Sequence, residues 1–347
     1  MKQKLKLLSL FLATALLSCI CYGQKDDYSS RIDSLIKTTN PRSFNGVILI
    51  TQKGKTKYKN AFGYSNFEKK TPLTTKDNFI IMSNSKQITA VLTLKEVEKG
   101  KIDLHTPIRK YLPDLPQSWA DTVTVHHLLN FSAGITEIDK PLLFKPGSDF
   151  KYGNTTYVML GKIIEKVTGR RYADVANDLF KELKMKNTFC FEQGKLQNRV
   201  LGYRNTNNNF ALVDKPIENN HMVSAAGIIS NVTDLNIWDK SLHKGKILKP
   251  KTYNLMITYS IKAQHNAFGK EKIGYGYGLR ISDETPTKYI GHTGGGSGFV
   301  SFKIYFPETD VNVVVLENQS NENIDLLYDF EIKIREIVMN SSLIKKT

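Results

Sequence analysis

Residues 79–86 read Phe79-Ile80-Ile81-Met82-Ser83-Asn84-Ser85-Lys86, and the chain continues through Ile88, Val91, Leu92 and Val97 to Gly100. This pattern predicts an apolar run entering a helix over residues 83–99. The four apolar residues form one broad face and Gly100 is the stop. Residues three apart on a helix share a face, so the Lys86 amine comes within reach of the Ser83 hydroxyl. Serine is a poor nucleophile until something takes its proton. Lysine takes it only when uncharged, and both burial and the positive end of a helix dipole lower its pKa. The same letters also suit a serine that merely caps the helix beside an ordinary surface lysine. S-x-x-K starts at Ser34, Ser148, Ser241 and Ser342 as well, and what separates the Ser83 copy is its context.

Two further motifs lie downstream. Tyr152-Gly153-Asn154 follows Pro146-Gly147-Ser148-Asp149-Phe150-Lys151 and precedes a helix predicted over 156–167. A phenol beside a lysine can relay a proton, and an amide can hold both the lysine and a substrate carbonyl. A helix-capping Asn154 and a core-filling Tyr152 explain the same residues. His292-Thr293-Gly294 occurs once, ahead of Gly295-Gly296-Ser297-Gly298 and a strand. Glycine there lets a substrate lie against the backbone, and the N–H of Gly295 could join that of Ser83 in holding an oxyanion. A plain flexible turn is the competing reading. A phosphate loop is discounted because no Gly-Lys-Ser/Thr follows.

Both ends of the chain read as strands. Residues 45–64 form a strand pair around Lys53-Gly54-Lys55, and 299–306 pairs with 311–316 across Pro307-Glu308-Thr309-Asp310. The middle reads as helices, including one over 172–183. The expected fold is therefore α+β. One antiparallel sheet forms from both termini (about 40–75 and 270–340), with a helical lobe (about 76–269) inserted. A polar, Asn-rich exposed loop is expected from about 205 to 216, and a helix over about 322–339.

The N-terminus carries Lys2, Lys4 and Lys6, an apolar run from Leu7 to Ile20, then Cys21 and Gly23. That is the pattern of a secretory signal peptide over residues 1–23, which leaves a domain over 24–347. A rival cut before Cys19 would make a lipid-anchored protein, the one route to a membrane partner. Removal of the signal leaves Cys190 alone, so no internal disulfide is expected. Lys+Arg 49 against Asp+Glu 33 give a net charge of +16, or +13 without the three signal lysines. These charges are scattered along the chain, which favours a solvated lysine surface over an anionic partner and speaks against nucleic acid.

Taken together and in this order, the three motifs resemble the serine β-lactamase and penicillin-binding DD-peptidase family. Further likeness comes from Gly63-Tyr64 to Thr71-Pro72-Leu73, Gly100-Lys101-Ile102-Asp103-Leu104, Val125-His126-His127-Leu128-Leu129 and Ala226-Gly227-Ile228-Ile229-Ser230. The likeness extends over residues 44–318. It implies an exported, periplasmic or extracellular hydrolase that works through an acyl-serine on a cell-wall peptide, a β-lactam or an ester. Ser83 is the implied nucleophile, with Lys86 or Tyr152 as base. Asn154, His292, Thr293, Gly294 and Gly295 are implied for substrate and oxyanion, with Arg280 as a second carboxylate partner. No cofactor or metal is implied. Class C β-lactamases usually carry lysine where this chain has His292, so the resemblance points to the peptidase and esterase branch. A class C-like β-lactamase and a non-catalytic penicillin-binding or sensor protein are the alternatives.

Overall fold

The computed structural model describes residues 26–192, 198–217, 220–284 and 286–345; the expected signal segment, with Cys19 and Cys21, lies outside them. Helix α1 (Ser29–Ile36) leads into an antiparallel hairpin of β1 (Gly46–Gln52) and β2 (Lys55–Phe62). The chain then builds the helical lobe. It returns to the sheet as β3 (Lys262–His265), β4 (Gly269–Tyr275), β5 (Arg280–Ser282), β6 (Tyr289–Gly296), β7 (Phe299–Phe306) and β8 (Val311–Glu317). The eight strands lie in the order β3-β4-β5-β6-β7-β8-β1-β2. The two ends of the chain meet where β1 runs antiparallel to β8, with Gly46 opposite Glu317 and Gln52 opposite Val311. The α+β arrangement read from the sequence is the one observed, and the sheet additionally takes in β3, ahead of residue 270.

Both faces of the sheet are covered. Val311, Val313 and Val315 of β8 join Ile48 and Ile50 in a core shared with α1 and the last helix, while Val314 and Leu316 join Val47 and Leu49 beneath the helical lobe. Burial on both faces explains why β8 reads as a near-continuous apolar run rather than an alternating one. The other principal helices are α2 (Ser85–Glu98), α3 (Asn154–Thr168), α4 (Tyr172–Glu182), α5 (Val232–His243) and α6 (Asp329–Met339).

Several boundaries differ from expectation for local reasons. Helix α2 starts at Ser85, because Met82–Asn84 form a 3-10 turn ahead of it. Every residue from Ser85 to Leu94 is buried, so α2 is enclosed all round rather than along one apolar face. Its polar side chains find partners inside: Ser85 Oγ accepts from Ile228 N, and Thr89 Oγ1 donates to Ser224 O. The stretch expected as a loop near residue 205 is a hairpin, Tyr203–Thr206 against Asn209–Leu212. Asn207 and Asn208 turn it with φ of 51° and 65°, a left-handed pair that asparagine tolerates well. The C-terminal helical stretch is interrupted after Leu327 and resumes as α6.

A buried ion pair ties sheet to helix: Lys303 on β7 donates to Asp239 on α5, and both side chains are almost wholly enclosed. Burial pushes the lysine pKa down and the carboxyl pKa up, and the partner charge opposes each shift. Lys303→Ala would leave Asp239 buried without its counter-ion, and such losses run to about 3–5 kcal/mol. Urea unfolding should show the midpoint of Lys303→Ala well below that of the wild type; an unchanged midpoint would mean that the pair contributes nothing.

Candidate active site

Ser83 sits in the 3-10 turn Met82–Asn84, at the end of a short strand (Phe79–Ile80) that pairs with Ile229–Ser230. Met82 is buried with φ of 47°, a conformation that a side-chain-bearing residue takes only under restraint. The bend leaves Ser83 partly exposed while its neighbours Met82, Asn84, Ser85 and Lys86 are buried.

Lys86 lies in the first turn of α2 and is 0 % exposed. Its Nζ is 2.9 Å from Ser83 Oγ, 2.8 Å from Asn154 Oδ1 and 3.0 Å from the carbonyl of Ala225. No ion pair with a carboxylate is seen at Lys86 among the described residues. Desolvation accordingly pulls its pKa from 10.5 to about 7. A neutral amine has two N–H bonds and one lone pair. The Ala225 carbonyl and the Asn154 amide oxygen can only accept, so they take the two N–H donors. The lone pair is then left facing Ser83, the one partner with a proton to give.

The Tyr152 ring centroid is 5.1 Å from Lys86 Nζ. Its phenol is pushed up to about 12, chiefly by burial, with a hydrogen bond to Ser83 and the charge of Arg280 acting the other way. Tyr152 is therefore a neutral phenol near pH 7, although part of its surface stays open. Asn154 opens α3 and its side chain makes no cap; it faces Lys86 instead.

Strand β6 brings the third motif to the same place, but not every side chain faces the cleft. His292 is buried, with Nδ1 2.6 Å from the Thr293 carbonyl and Nε2 2.9 Å from Tyr275 Oη. A carbonyl only accepts, so the proton is on Nδ1 and Nε2 accepts from the tyrosine. Burial, reinforced by Arg280 and Lys86, holds the ring well below its ordinary pKa and uncharged. His292, which the resemblance places among the substrate and oxyanion groups, has its ring buried between Tyr275 and the Thr293 carbonyl. Thr293 Oγ1 is 3.0 Å from His265 Nε2. His265 Nδ1 accepts from the Ala267 N–H, so its Nε2–H donates to the threonine. Gly294 lies so close to the Met82–Asn84 turn that a Cβ there would collide with the Ile81 carbonyl and come within 2.7 Å of Ser83 N. A Cβ on Gly295 would meet Tyr328 Oη at 2.6 Å.

Arg280, on β5 beside this strand, is 3 % exposed. Its guanidinium lies 5.3 Å from the Tyr275 ring centroid, and among the described residues its Nε and Nη1 have no hydrogen-bond partner. His265, Tyr275, Tyr328 and the Ala225 carbonyl were not reachable by motif reading, since their partners lie far away in sequence. His126 and His127 serve the scaffold: His126 Nδ1 meets Tyr277 Oη at 2.7 Å, and His127 closes a capping box with Thr124.

A serine hydroxyl facing a buried amine whose pKa is pulled to about 7 is equipped for attack on a carbonyl, and by fold and site the chain is a serine hydrolase in class. It belongs to the beta-lactamase family, whose model, Beta-lactamase, matches residues 32–333. Among curated proteins it is 25% identical to "Penicillin-binding protein 4*" of Bacillus subtilis (strain 168), over 86% of this chain and 73% of that one. It spans 66% of another relative, "Protein flp" of Staphylococcus aureus. Among solved structures, the octameric penicillin-binding protein homologue from Pyrococcus abyssi superposes with a TM-score of 0.73 at 29% identity, covering 83% of this chain and 73% of that chain. The D-amino acid amidase from Ochrobactrum anthropi SV3 superposes with a TM-score of 0.75 at 23% identity, over 90% of this chain and 98% of that one.

Proposed function

We propose that the protein is an exported hydrolase of the peptidase and esterase branch of its family, working through an acyl-Ser83 intermediate. The observation that carries this reading is the contact set of Lys86: two acceptors, the Ser83 hydroxyl, full burial and, among the described residues, no carboxylate. Ser83 Oγ attacks the carbonyl and passes its proton to Lys86 Nζ. The oxyanion is held by the backbone N–H groups of Ser83 and Gly295. The Tyr152 phenol gives its proton to the departing amine or alkoxide and regains one from Lys86. Water then attacks the acyl-serine, Lys86 takes a proton from it, and Ser83 Oγ leaves reprotonated. Lys86 rather than Tyr152 is the base in this scheme, because near pH 7 a base of pKa about 7 is half available and one of about 12 is not.

The substrate is a cell-wall peptide, a β-lactam or an ester. A buried neutral His292 offers no positive charge to an anionic β-lactam, which supports peptidase or esterase over β-lactamase. Arg280 and Thr293 are the groups for a substrate carboxylate, and the two unpaired guanidinium nitrogens support that role. Arg280→Met is then expected to raise KM for a D-Ala-D-Ala peptide about tenfold or more, since hydrogen bonds to charged groups contribute about 1.5–3 kcal/mol. KM for a p-nitrophenyl ester lacking a carboxylate should change little. Equal effects on both substrates would remove the carboxylate role.

The activity itself is tested by incubating wild type and Ser83→Ala with a labelled penicillin, a p-nitrophenyl ester and a D-Ala-D-Ala peptide. Slow release of bound label supports a penicillin-binding peptidase, and ester cleavage alone supports an esterase. Fast β-lactam turnover would overturn the ranking, and binding without any turnover would make the protein a sensor. Export rests on the N-terminal pattern. The mass of the mature N-terminus distinguishes cleavage after Gly23 from lipid attachment at Cys19.

A further inference from the structure

The geometry points to Ser301 as a positioning residue, pinning the nucleophile turn to the glycine strand so that the two oxyanion N–H donors are held in register. This inference rests on the hydrolase reading above and adds to it a residue outside all three motifs. The two donors come from different elements. Ser83 N belongs to the turn after the short strand at 79–80, and Gly295 N belongs to β6. Something must set the distance between them.

Ser301 lies on β7 directly opposite Gly294 of β6. It is 0 % exposed, and its Oγ reaches across to the turn, donating to the Ile81 carbonyl at 2.6 Å. The same oxygen accepts from Asn84 Nδ2 at 2.8 Å. Both sides of the turn are therefore held by one hydroxyl, Ile81 before Ser83 and Asn84 after it. Asn84 is fixed in its turn, since its Oδ1 accepts from Gln87 Nε2 at 2.7 Å, and Gln87 Oε1 accepts from Trp238 Nε1 at 3.4 Å. These side chains are buried and their amide orientations are fully determined by donors and acceptors. The point a Cβ on Gly294 would occupy is 2.7 Å from both Ser301 Oγ and Ser83 N, so strand, hydroxyl and nucleophile backbone converge there.

The turn needs this restraint. Met82 holds φ of 47°, which persists only where the surroundings over-determine it. The Ser301 hydroxyl has its proton on Ile81 and a lone pair on Asn84, so it acts through the backbone and not on substrate. Its removal leaves the Ile81 carbonyl with the Asn84 N–H alone, at 3.1 Å, and takes from the buried Asn84 Nδ2 its acceptor, so the turn relaxes away from β6. The recognition groups lie on β5 and β6: Arg280 stays against the Tyr275 ring, and Thr293 keeps its bond from His265. The effect should fall on the tetrahedral state and spare ground-state binding.

The test compares wild type, Ser301→Ala, Ser301→Cys and Asn84→Ala by p-nitrophenyl ester kinetics, affinity for a boronic acid that forms a tetrahedral adduct on Ser83, and thermal unfolding. Ser301→Ala should lower kcat about 100-fold, the scale of one misplaced oxyanion donor, with KM within about twofold. Boronic acid affinity should fall by the same factor as kcat/KM. Ser301→Cys should lie between, because a thiol is a weaker donor. Should Ser301→Ala not fold, Asn84→Ala keeps the bond to Ile81 and should lower kcat in the same direction by less. A folded Ser301→Ala with kcat within threefold of wild type, or a drop matched by a rise in KM with unchanged boronate affinity, overturns the inference. A wild type that neither turns over ester nor binds the boronic acid at Ser83 brings down the hydrolase reading itself, a result that cannot be confused with either.

Discussion

Ser83→Ala should leave no more than about one ten-thousandth of wild-type turnover, in line with the loss of a nucleophile from other serine hydrolases. The reason lies in the site. Among the described residues, the hydroxyl that faces the Lys86 amine is that of Ser83; its other two partners are an amide oxygen and a backbone carbonyl, neither of which can attack. Alanine leaves the amine, the phenol and the glycine strand in place, so substrate binding should persist while acylation disappears. The measurement is kcat with a p-nitrophenyl ester, together with the intact mass after exposure to penicillin. Survival of more than a tenth of the activity, or an acyl adduct still present in Ser83→Ala, would sink the nucleophile assignment.

The second large effect is expected at Lys86. Lys86→Arg places a cation that cannot be deprotonated where a neutral base is required, and kcat should fall about 100- to 10,000-fold, the range of a lost general base. In the wild type, kcat/KM should rise with pH through a midpoint near 7, because Lys86 acts as a base only in its deprotonated form. The same shift predicts how stability varies with pH. The folded lysine gives up its proton near 7 and the unfolded one near 10.5. Between those values the unfolded chain binds more protons, so stability rises with pH across that window. The depression corresponds to on the order of 5 kcal/mol at 1.36 kcal/mol per unit. Lys86→Met should flatten that rise, as read from unfolding midpoints at pH 7 and pH 9.5. A pH–rate profile flat from 5 to 9 in the wild type would remove Lys86 from the role of base.

Those expectations draw on two kinds of information. The turn-and-helix carrying Ser83 and Lys86, the Tyr152 segment and the glycine-rich strand were legible in the sequence, because each depends on neighbours a few residues away. The meeting of the two chain ends in one sheet was legible too, since β-patterned runs bracket a helical middle. Local letters also located Asn154, but left open whether it caps a helix or faces the lysine; the 2.8 Å contact to Lys86 decides that.

The sequence by itself determined which groups are present and in which short segments they travel. Only the tertiary structure decided what each of them is. The pKa of Lys86 is pulled down because burial among acceptors 68 and 139 residues away strips its water without supplying a negative charge. The His292 ring is buried with both nitrogens engaged, by Tyr275 and by the Thr293 carbonyl. Among the described residues Arg280 Nε and Nη1 have no hydrogen-bond partner, and Ser301 reaches Asn84 from 217 residues further along the chain. Periodicity and caps are encoded over a few residues, whereas desolvation and hydrogen-bond partnership belong to the assembled surroundings, which no local run of residues specifies.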